Sequence, residues 1–424
     1  MPRPIAISLS PNTEPDDIAA AWRSLLTPWR WRDTSGFGEL EQQIGQSFVT
    51  DTIRQGDQVP GAVLTSSGRS ALYATLKALE LEEGDEVIVQ AFTCLAVPAA
   101  VKWAGAQPVF ADVIEETYNL DPESVRARIT PRTKALLVQH TFGIPAGITA
   151  LKKIADEHNL VLIEDLAHAL GGRIEGKALG LHGDVAILSF GRDKTISSVF
   201  GGAVVSQNEQ LIAKVRAQQE QLPLPSLWWS KQQLLHPILM SAIVPLYFVA
   251  GIGKAFLVAC QRLGLLSYAV SPAEKQGGTA RLINQRFAPA LAPLLTKQLK
   301  KLPAFTEHRR RVASRYLEGL ETAQPRLSRL TQVRDDAPWL RFPLRVANAA
   351  QTGKKLRSKQ LLFGDWYSTP VTPCSLEHET VSGYQPGSCP VAEKLSRTTI
   401  NLPTYPLLYE ADVEHVISVI KKSV

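Results

Sequence analysis

Cysteine is scarce: Cys94, Cys260, Cys374 and Cys389 are the only four among 424 residues. None stands in a CxxC or Cys/His metal spacing, so no metal centre is expected, and four are too few for a disulfide scaffold. Without such a framework, a reducing cytoplasmic compartment is the expectation. The start, Met1-Pro2-Arg3-Pro4, runs into polar residues with no apolar h-region, which argues against a secretory signal. Long blocks of consecutive Lys or Arg are missing as well. Forty-six basic against 40 acidic side chains leave a net charge of +6 spread over the whole length, and no nucleic-acid partner is implied. No internal repeat is visible.

The sharpest absence is local. Between Gln221 and Ala273 there is no Asp or Glu, and the only formal charges are Lys231, Lys254 and Arg262. Within that segment Leu234 to Gly253 carries no charge if His236 is neutral, a run about as long as one bilayer-spanning helix. Pro237, Pro245 and Gly251 interrupt it, while Trp228-Trp229 and Lys231 stand at its front edge, as a membrane–water interface favours. Three readings stay open: a span, a monotopic hairpin or interfacial helix resting on a membrane, and packing on the domain core or a partner subunit. A span would carry the following residues to the far side of the bilayer, which a single catalytic unit does not tolerate.

What is present is a large apolar fraction. At 45% hydrophobic and 20% charged the chain can bury a sizeable core, and its length suggests two to four units at roughly 100–200 residues per domain. Short β-rich runs alternate with helical stretches from about residue 60 to 206. The runs are 61–64, 86–89, 108–111, 135–138, 161–164, 185–188 and 203–205; helices are expected at 70–81, 96–104, 122–129 and 150–158. Most runs are near-continuous in apolar residues, as strands covered on both faces are. The alternation predicts an α/β fold with a mainly parallel sheet.

From Arg286 to Leu320 the pattern turns amphipathic and basic. Leu291, Leu295, Leu299 and Leu302 recur at helical spacing; Pro293 suits a first turn, and Pro303 is expected to kink or divide the helix. His308-Arg309-Arg310-Arg311 reads as a solvated face, on helices able to bridge two domains. A strand at 340–346 and a closing helix at 411–421 indicate a smaller α+β unit. The expected division is therefore 1–320, including the apolar insertion 221–273, and 321–424.

Three features carry chemistry. Thr65-Ser66-Ser67-Gly68-Arg69-Ser70 joins a strand to a helix start, where free N–H groups and small hydroxyls suit a phosphate or form an ordinary cap. Asp165 ends a buried strand, at the edge where α/β sheets bind ligands, or else caps the next helix; His168 shares that rim as a functional or a merely structural histidine. Lys194 follows the next strand through Ser189-Phe190-Gly191-Arg192-Asp193, and an enclosed lysine can lose its proton and attack a carbonyl. In combination they match pyridoxal phosphate enzymes, in which phosphate, pyridinium nitrogen and aldehyde each have one partner.

The chain resembles the DegT/StrS family of sugar aminotransferases. The resemblance lies in Ser67-Gly68-Arg69-Ser70-Ala71-Leu72, Gly84-Asp85-Glu86-Val87-Ile88, Gly105 to Asp112, Glu164-Asp165-Leu166-Ala167-His168-Ala169, Ser189-Phe190 with Lys194, Asn284-Gln285-Arg286-Phe287 and Asn401-Leu402-Pro403. It covers about 60–210 and 280–424. The resemblance implies a fold type I pyridoxal phosphate enzyme, a homodimer with shared active sites. Lys194 would bond to the cofactor's aldehyde and shuttle protons, and Asp165 would hold the pyridinium nitrogen protonated. His168 would sit beside the phenolic oxygen, Gly68, Arg69 and Ser189 would take the phosphate, and Asn284 would reach a phosphate in the neighbouring subunit. The implied reaction moves an amino group, with glutamate as the expected donor, onto a keto-sugar carried by a nucleotide or lipid, in surface polysaccharide or glycoconjugate biosynthesis. The chain departs from the family pattern at Arg69, where Thr is usual, at Cys94, where an aromatic commonly covers the cofactor ring, and at Val199-Phe200, which lacks an acid. The 221–273 segment is longer and more apolar than the usual linker. Rival readings are a non-catalytic protein that keeps the fold, and a related sugar dehydratase, against which Lys194 speaks because that chemistry puts His there.

Overall fold

The computed structural model describes residues 5–7, 9–49, 58–268, 282–321, 336–374 and 379–423, with isolated positions at 270, 274, 276, 278, 280, 330, 332 and 333. Seven strands form the central sheet: β1 (Gly61–Thr65), β2 (Glu86–Gln90), β3 (Gln107–Ala111), β4 (Thr133–Gln139), β5 (Val161–Asp165), β6 (Val185–Ser189) and β7 (Gly202–Ser206). Their spatial order is β1-β7-β6-β5-β4-β2-β3. Neighbours are parallel except around β7, which runs antiparallel to both β6 and β1. Each apolar run expected to be a strand is one.

Successive side chains of these strands feed different cores, as the two-residue period requires. Along β4, Ala135 and Leu137 join one buried cluster, while Leu136 and Val138 join another with Leu151 and Ile154 of the covering helix Ile148–Glu157. Along β6, Ala186 and Leu188 face a third cluster, which is closed by the helix Ala292–Leu320. Covering helices follow the strands: α1 (Pro15–Leu25) precedes the sheet, α2 (Gly68–Ala78) follows β1, and α3 (Glu209–Glu220) follows β7. The apolar insertion contains α4 (Leu227–Ile243) and α5 (Ile252–Arg262).

The helix α6 (Ala292–Leu320) serves two cores. Leu295, Leu299, Leu302 and Phe305 pack beneath the sheet, whereas Val312, Ala313, Tyr316 and Leu320 pack with Phe342, Leu344, Val416 and Ile420 of the C-terminal elements. Those elements include β8 (Phe342–Arg345), antiparallel to β9 (Thr399–Leu402), and the last helix α7 (Glu410–Lys421). Pro303 lies inside α6 and does not divide it. Proline removes one backbone donor there, but Leu302 and Phe305 on either side are buried, and their packing outweighs the lost bond.

The basic cluster on α6 is not uniformly solvated. Arg311 is exposed beside Glu307, as expected, yet Arg309 is 1% exposed and points into the protein. Lys301 anchors α1 by ion pairs with Glu14 at 2.8 Å and Asp17 at 3.0 Å, so the N-terminal segment is held against α6.

The apolar insertion is a pair of packed helices. Ser230, Gln233, Leu234, His236 and Met240 of α4 are buried, and His236 Nε2 lies 2.6 Å from Ser10 Oγ. Met240, Ile243, Cys260 and Leu266 make a small core between the helices. The spanning reading is overturned for the described residues: no helix among them is long and apolar enough to cross a membrane.

Candidate active site

The carboxyl ends of β1, β5 and β6 open on one cavity of about 420 Å³, which Ser67, Gly68, Arg69, Cys94, Asp165, His168, Ser189 and Lys194 all line. Every residue singled out from the sequence meets there except Asn284, which is exposed on this chain and is not in the lining.

The β1–α2 turn supplies one end. Ser67 caps α2 by accepting the Ser70 N–H at 3.2 Å, and the helix starts at Gly68 rather than near Ser70. A Cβ on Gly68 would lie 2.8 Å from the Ser189 Cβ, so only glycine lets the helix start approach β6 this closely. The resulting cradle offers first-turn amides and the Ser189 hydroxyl to an anion. Arg69 does not face that anion alone. Its guanidinium is ion-paired with Glu274, beside Cys94 and Trp103, so its charge is already balanced in part.

Asp165 ends β5, where the parallel strand lets its carboxylate turn into the cavity. One oxygen accepts the Ala167 N–H at 2.8 Å. The other has no hydrogen-bond partner among the described residues. Burial raises this carboxyl's pKa, opposed by the Ala167 amide and by Lys194. A cation or a protonated ring nitrogen is the partner this group lacks.

Lys194 projects from the loop after β6, and its amine too has no hydrogen bond among the described residues. Burial lowers its pKa, partly offset by Cys94 and Asp165, which favours the neutral nucleophilic form. Its backbone is held from afar: Asn12 donates to the carbonyls of Lys194 at 2.5 Å and Thr195 at 3.1 Å. Arg309 in turn donates to the Asn12 side-chain oxygen at 2.8 Å. Two residues earlier in the loop, Arg192 donates to Ser267 at 2.8 and 2.6 Å and to Gln233 at 3.2 Å, tying the loop to the apolar insertion.

His168 accepts the Phe142 N–H at Nδ1, at 3.3 Å. Burial, with Lys194 and Arg341 nearby, holds its pKa well below the ordinary value, so the ring is neutral and its proton sits on Nε2. That N–H lies 3.4 Å from the Tyr367 hydroxyl and is available to an oxygen in the cavity.

Several residues in or around the cavity carry no signal in the sequence. Trp366 stacks on His168 with ring centroids 4.8 Å apart, and the Lys194 amine lies 4.9 Å from its centroid. Arg341 covers the same indole at 3.3 Å. The aromatic wall of this cavity comes from Trp366 and Tyr367 in the C-terminal part of the chain. Asn12 and Arg309 are likewise unmarked by motif; only the helical phase of Leu295, Leu299, Leu302 and Phe305 points Arg309 inward.

These residues fit pyridoxal phosphate: an anion cradle, a carboxylate with one unused oxygen and an unpaired amine stand on one cavity, one for each functional end of that molecule. The DegT/DnrJ/EryC1/StrS aminotransferase family description matches residues 53–224 and 260–421. The erythromycin biosynthesis sensory transduction protein EryC1 of Saccharopolyspora erythraea is 31% identical over 362 residues, covering 85% of this chain and 84% of that one. A UDP-N-acetyl-3-dehydro-alpha-D-glucosamine 3-aminotransferase of Acidithiobacillus ferrooxidans is 28% identical over 84% of this chain and 83% of its own. Among solved structures, DesV of S. venezuelae superimposes with a TM-score of 0.74 at 26% identity, over 100% of this chain and 98% of DesV.

Proposed function

The chain belongs to the DegT/DnrJ/EryC1/StrS aminotransferase family of pyridoxal phosphate enzymes, and from that premise we propose that it transfers the amino group of glutamate to a keto-sugar carried on a nucleotide. The observation that carries this reading is the half-buried Lys194 amine, without a hydrogen bond among the described residues and disposed to be neutral, on the same cavity as the Asp165 carboxylate. The similarity to a relative named for a UDP-linked keto-sugar supports a nucleotide carrier. A lipid carrier and a place in polysaccharide or glycoconjugate assembly are compatible with the same site chemistry.

When bound, pyridoxal phosphate supplies an electron sink through which an amino group passes from donor to acceptor. The chain's own residues do the rest. The α2 amides, with Gly68 and Ser189, bind the phosphate, and Arg69 adds a balanced positive charge at its side. Asp165 holds a proton at the ring nitrogen. The Nε2–H of His168 would donate to the phenolic oxygen. Lys194, with a neutral Nζ, would hold the aldehyde end of the cofactor and, once released from it, would carry a proton at that nitrogen. Asn284, outside its own cavity, serves the site of a second copy in a homodimer.

The test mixes purified holoprotein with glutamate and follows the cofactor's visible absorption, then adds UDP- and GDP-linked keto-sugars. Loss of the absorption with glutamate and its return with one keto-sugar is the expected result. Unchanged absorption with glutamate and with other amino acids would sink the enzymatic reading in favour of a non-catalytic protein that keeps the cofactor.

A further inference from the structure

The helix α5 presents to solvent a face as apolar as the one it packs. Its inner side is narrow: Gly253 and Cys260 are buried, and a Cβ on Gly253 would meet the backbone of Ile243, Leu246 and Tyr247 at 2.5 Å. The helix is therefore locked backbone to backbone on the turn that follows α4, as a rigid hairpin. Ile252, Phe256 and Leu263, the last 71% exposed, form one apolar edge of the helix, and Val258 lies on its outer face in one row between Lys254 and Arg262. Lys254, Val258, Arg262 and Leu263 line one shallow groove. At the far end of α4, Trp228 is half exposed with the Lys231 amine 5.5 Å from its ring. All three charges of the segment are basic. Residues 225–259 also fall between the two segments that the family pattern matches.

We infer that this hairpin is a docking surface for an anionic lipid bilayer, on which α5 lies in the plane of the headgroups. Its apolar stripe enters the acyl boundary, and Lys254, Arg262 and Lys231 meet the lipid phosphates. Tryptophan beside a lysine suits the headgroup level. Charge favours lipid over self-contact of this helix. A twofold axis running through α5 would set Lys254 and Arg262 against their own counterparts, with no carboxylate anywhere in the segment to neutralise them. Leu239 and Val244, apolar in sequence, pack inward and contribute nothing to this face. Gln233 and Ser267 of the same segment accept from Arg192, which ties this surface to the Lys194 loop. The inference is independent of the proposed reaction.

Flotation with vesicles of phosphatidylcholine, alone or mixed with an equal part of phosphatidylglycerol, tests it. The wild-type protein should float with the anionic vesicles at least about tenfold more than with the neutral ones, and less as salt rises. Phe256→Ser with Val258→Ser and Leu263→Ser, all on the exposed side, should abolish flotation while cofactor absorption and sedimentation stay those of the wild type. Lys254→Gln with Arg262→Gln, which removes no packing, should reduce it separately. A wild-type protein that stays unbound, or variants that float equally well, would overturn the inference. Loss of the oligomer in the serine variant without prior flotation by the wild type would assign the face to copy–copy contact instead.

Discussion

Asn12→Ala removes a side chain that lies about 180 residues from Lys194 in sequence and touches its backbone, and its cost follows from the partners it abandons. Two amide donations, to the carbonyls of Lys194 at 2.5 Å and Thr195 at 3.1 Å, disappear together with the oxygen that accepts from Arg309 at 2.8 Å. Asn12 and Arg309 are each only 1% exposed, so water does not readily replace them. Among the described residues Arg309 already has its Nε and Nη1 without hydrogen-bond partners, and burial has pushed its pKa down to about 9. Each buried polar group left without a partner costs about 1–3 kcal/mol, so the three together amount to about 3–9 kcal/mol. The shift of the urea midpoint at common slope, followed by tryptophan fluorescence, measures this. Asn12→Asp separates the two roles. It gives Arg309 a counter-charge but sets a carboxylate against two carbonyl oxygens. It should keep more stability than Asn12→Ala while slowing the appearance of the cofactor's visible absorption in apoprotein given pyridoxal phosphate. If Asn12→Ala costs less than about 1 kcal/mol and takes up cofactor at the wild-type rate, Asn12 does not hold the Lys194 loop.

Two further outcomes concern the cavity. The rate of cofactor uptake should rise with pH as Lys194 loses its proton, and because burial lowers that pKa the rise should be half complete below the ordinary lysine value of 10.5; a midpoint at or above it refutes the assignment of a neutral amine. Asp165→Asn removes a buried carboxylate whose charge burial already disfavours, so the variant should fold, but its glutamate half-reaction should slow by about 100-fold or more in stopped flow, and a wild-type rate counts against the ring-nitrogen role.

The strands were legible because both faces of the sheet are covered. Residues 135–138 and 161–164 have no polar alternation to hide their extent, and the turns around them mark their ends. Nothing in residues 203–205 announced that β7 runs against its neighbours, since direction leaves no mark on an apolar run. Asp165, His168 and Lys194 were legible through their positions at strand ends and their order along the chain. Asn12, Arg309 and Trp366 were not, because their contacts depend on how α1, α6 and the C-terminal unit dock. A run of four basic residues looks alike whichever one faces inward. Arg309 lies on the buried stripe of α6 and Arg311 does not, and only the helical phase separates them.

The place of β7 between β6 and β1 has a consequence for synthesis. Thr65 of β1 pairs with Gly202, so the edge of β1 has no β7 beside it until the ribosome has added about 140 further residues, which takes roughly 7–30 s at ordinary elongation rates. During that interval β1, with Ala62, Val63 and Leu64 destined for the core, is an open strand edge available to any other nascent chain. The reactive cavity closes later still, since Trp366 and Tyr367 emerge after the whole sheet exists. A nascent chain therefore exposes Lys194 before it has the aromatic wall that lines the same cavity.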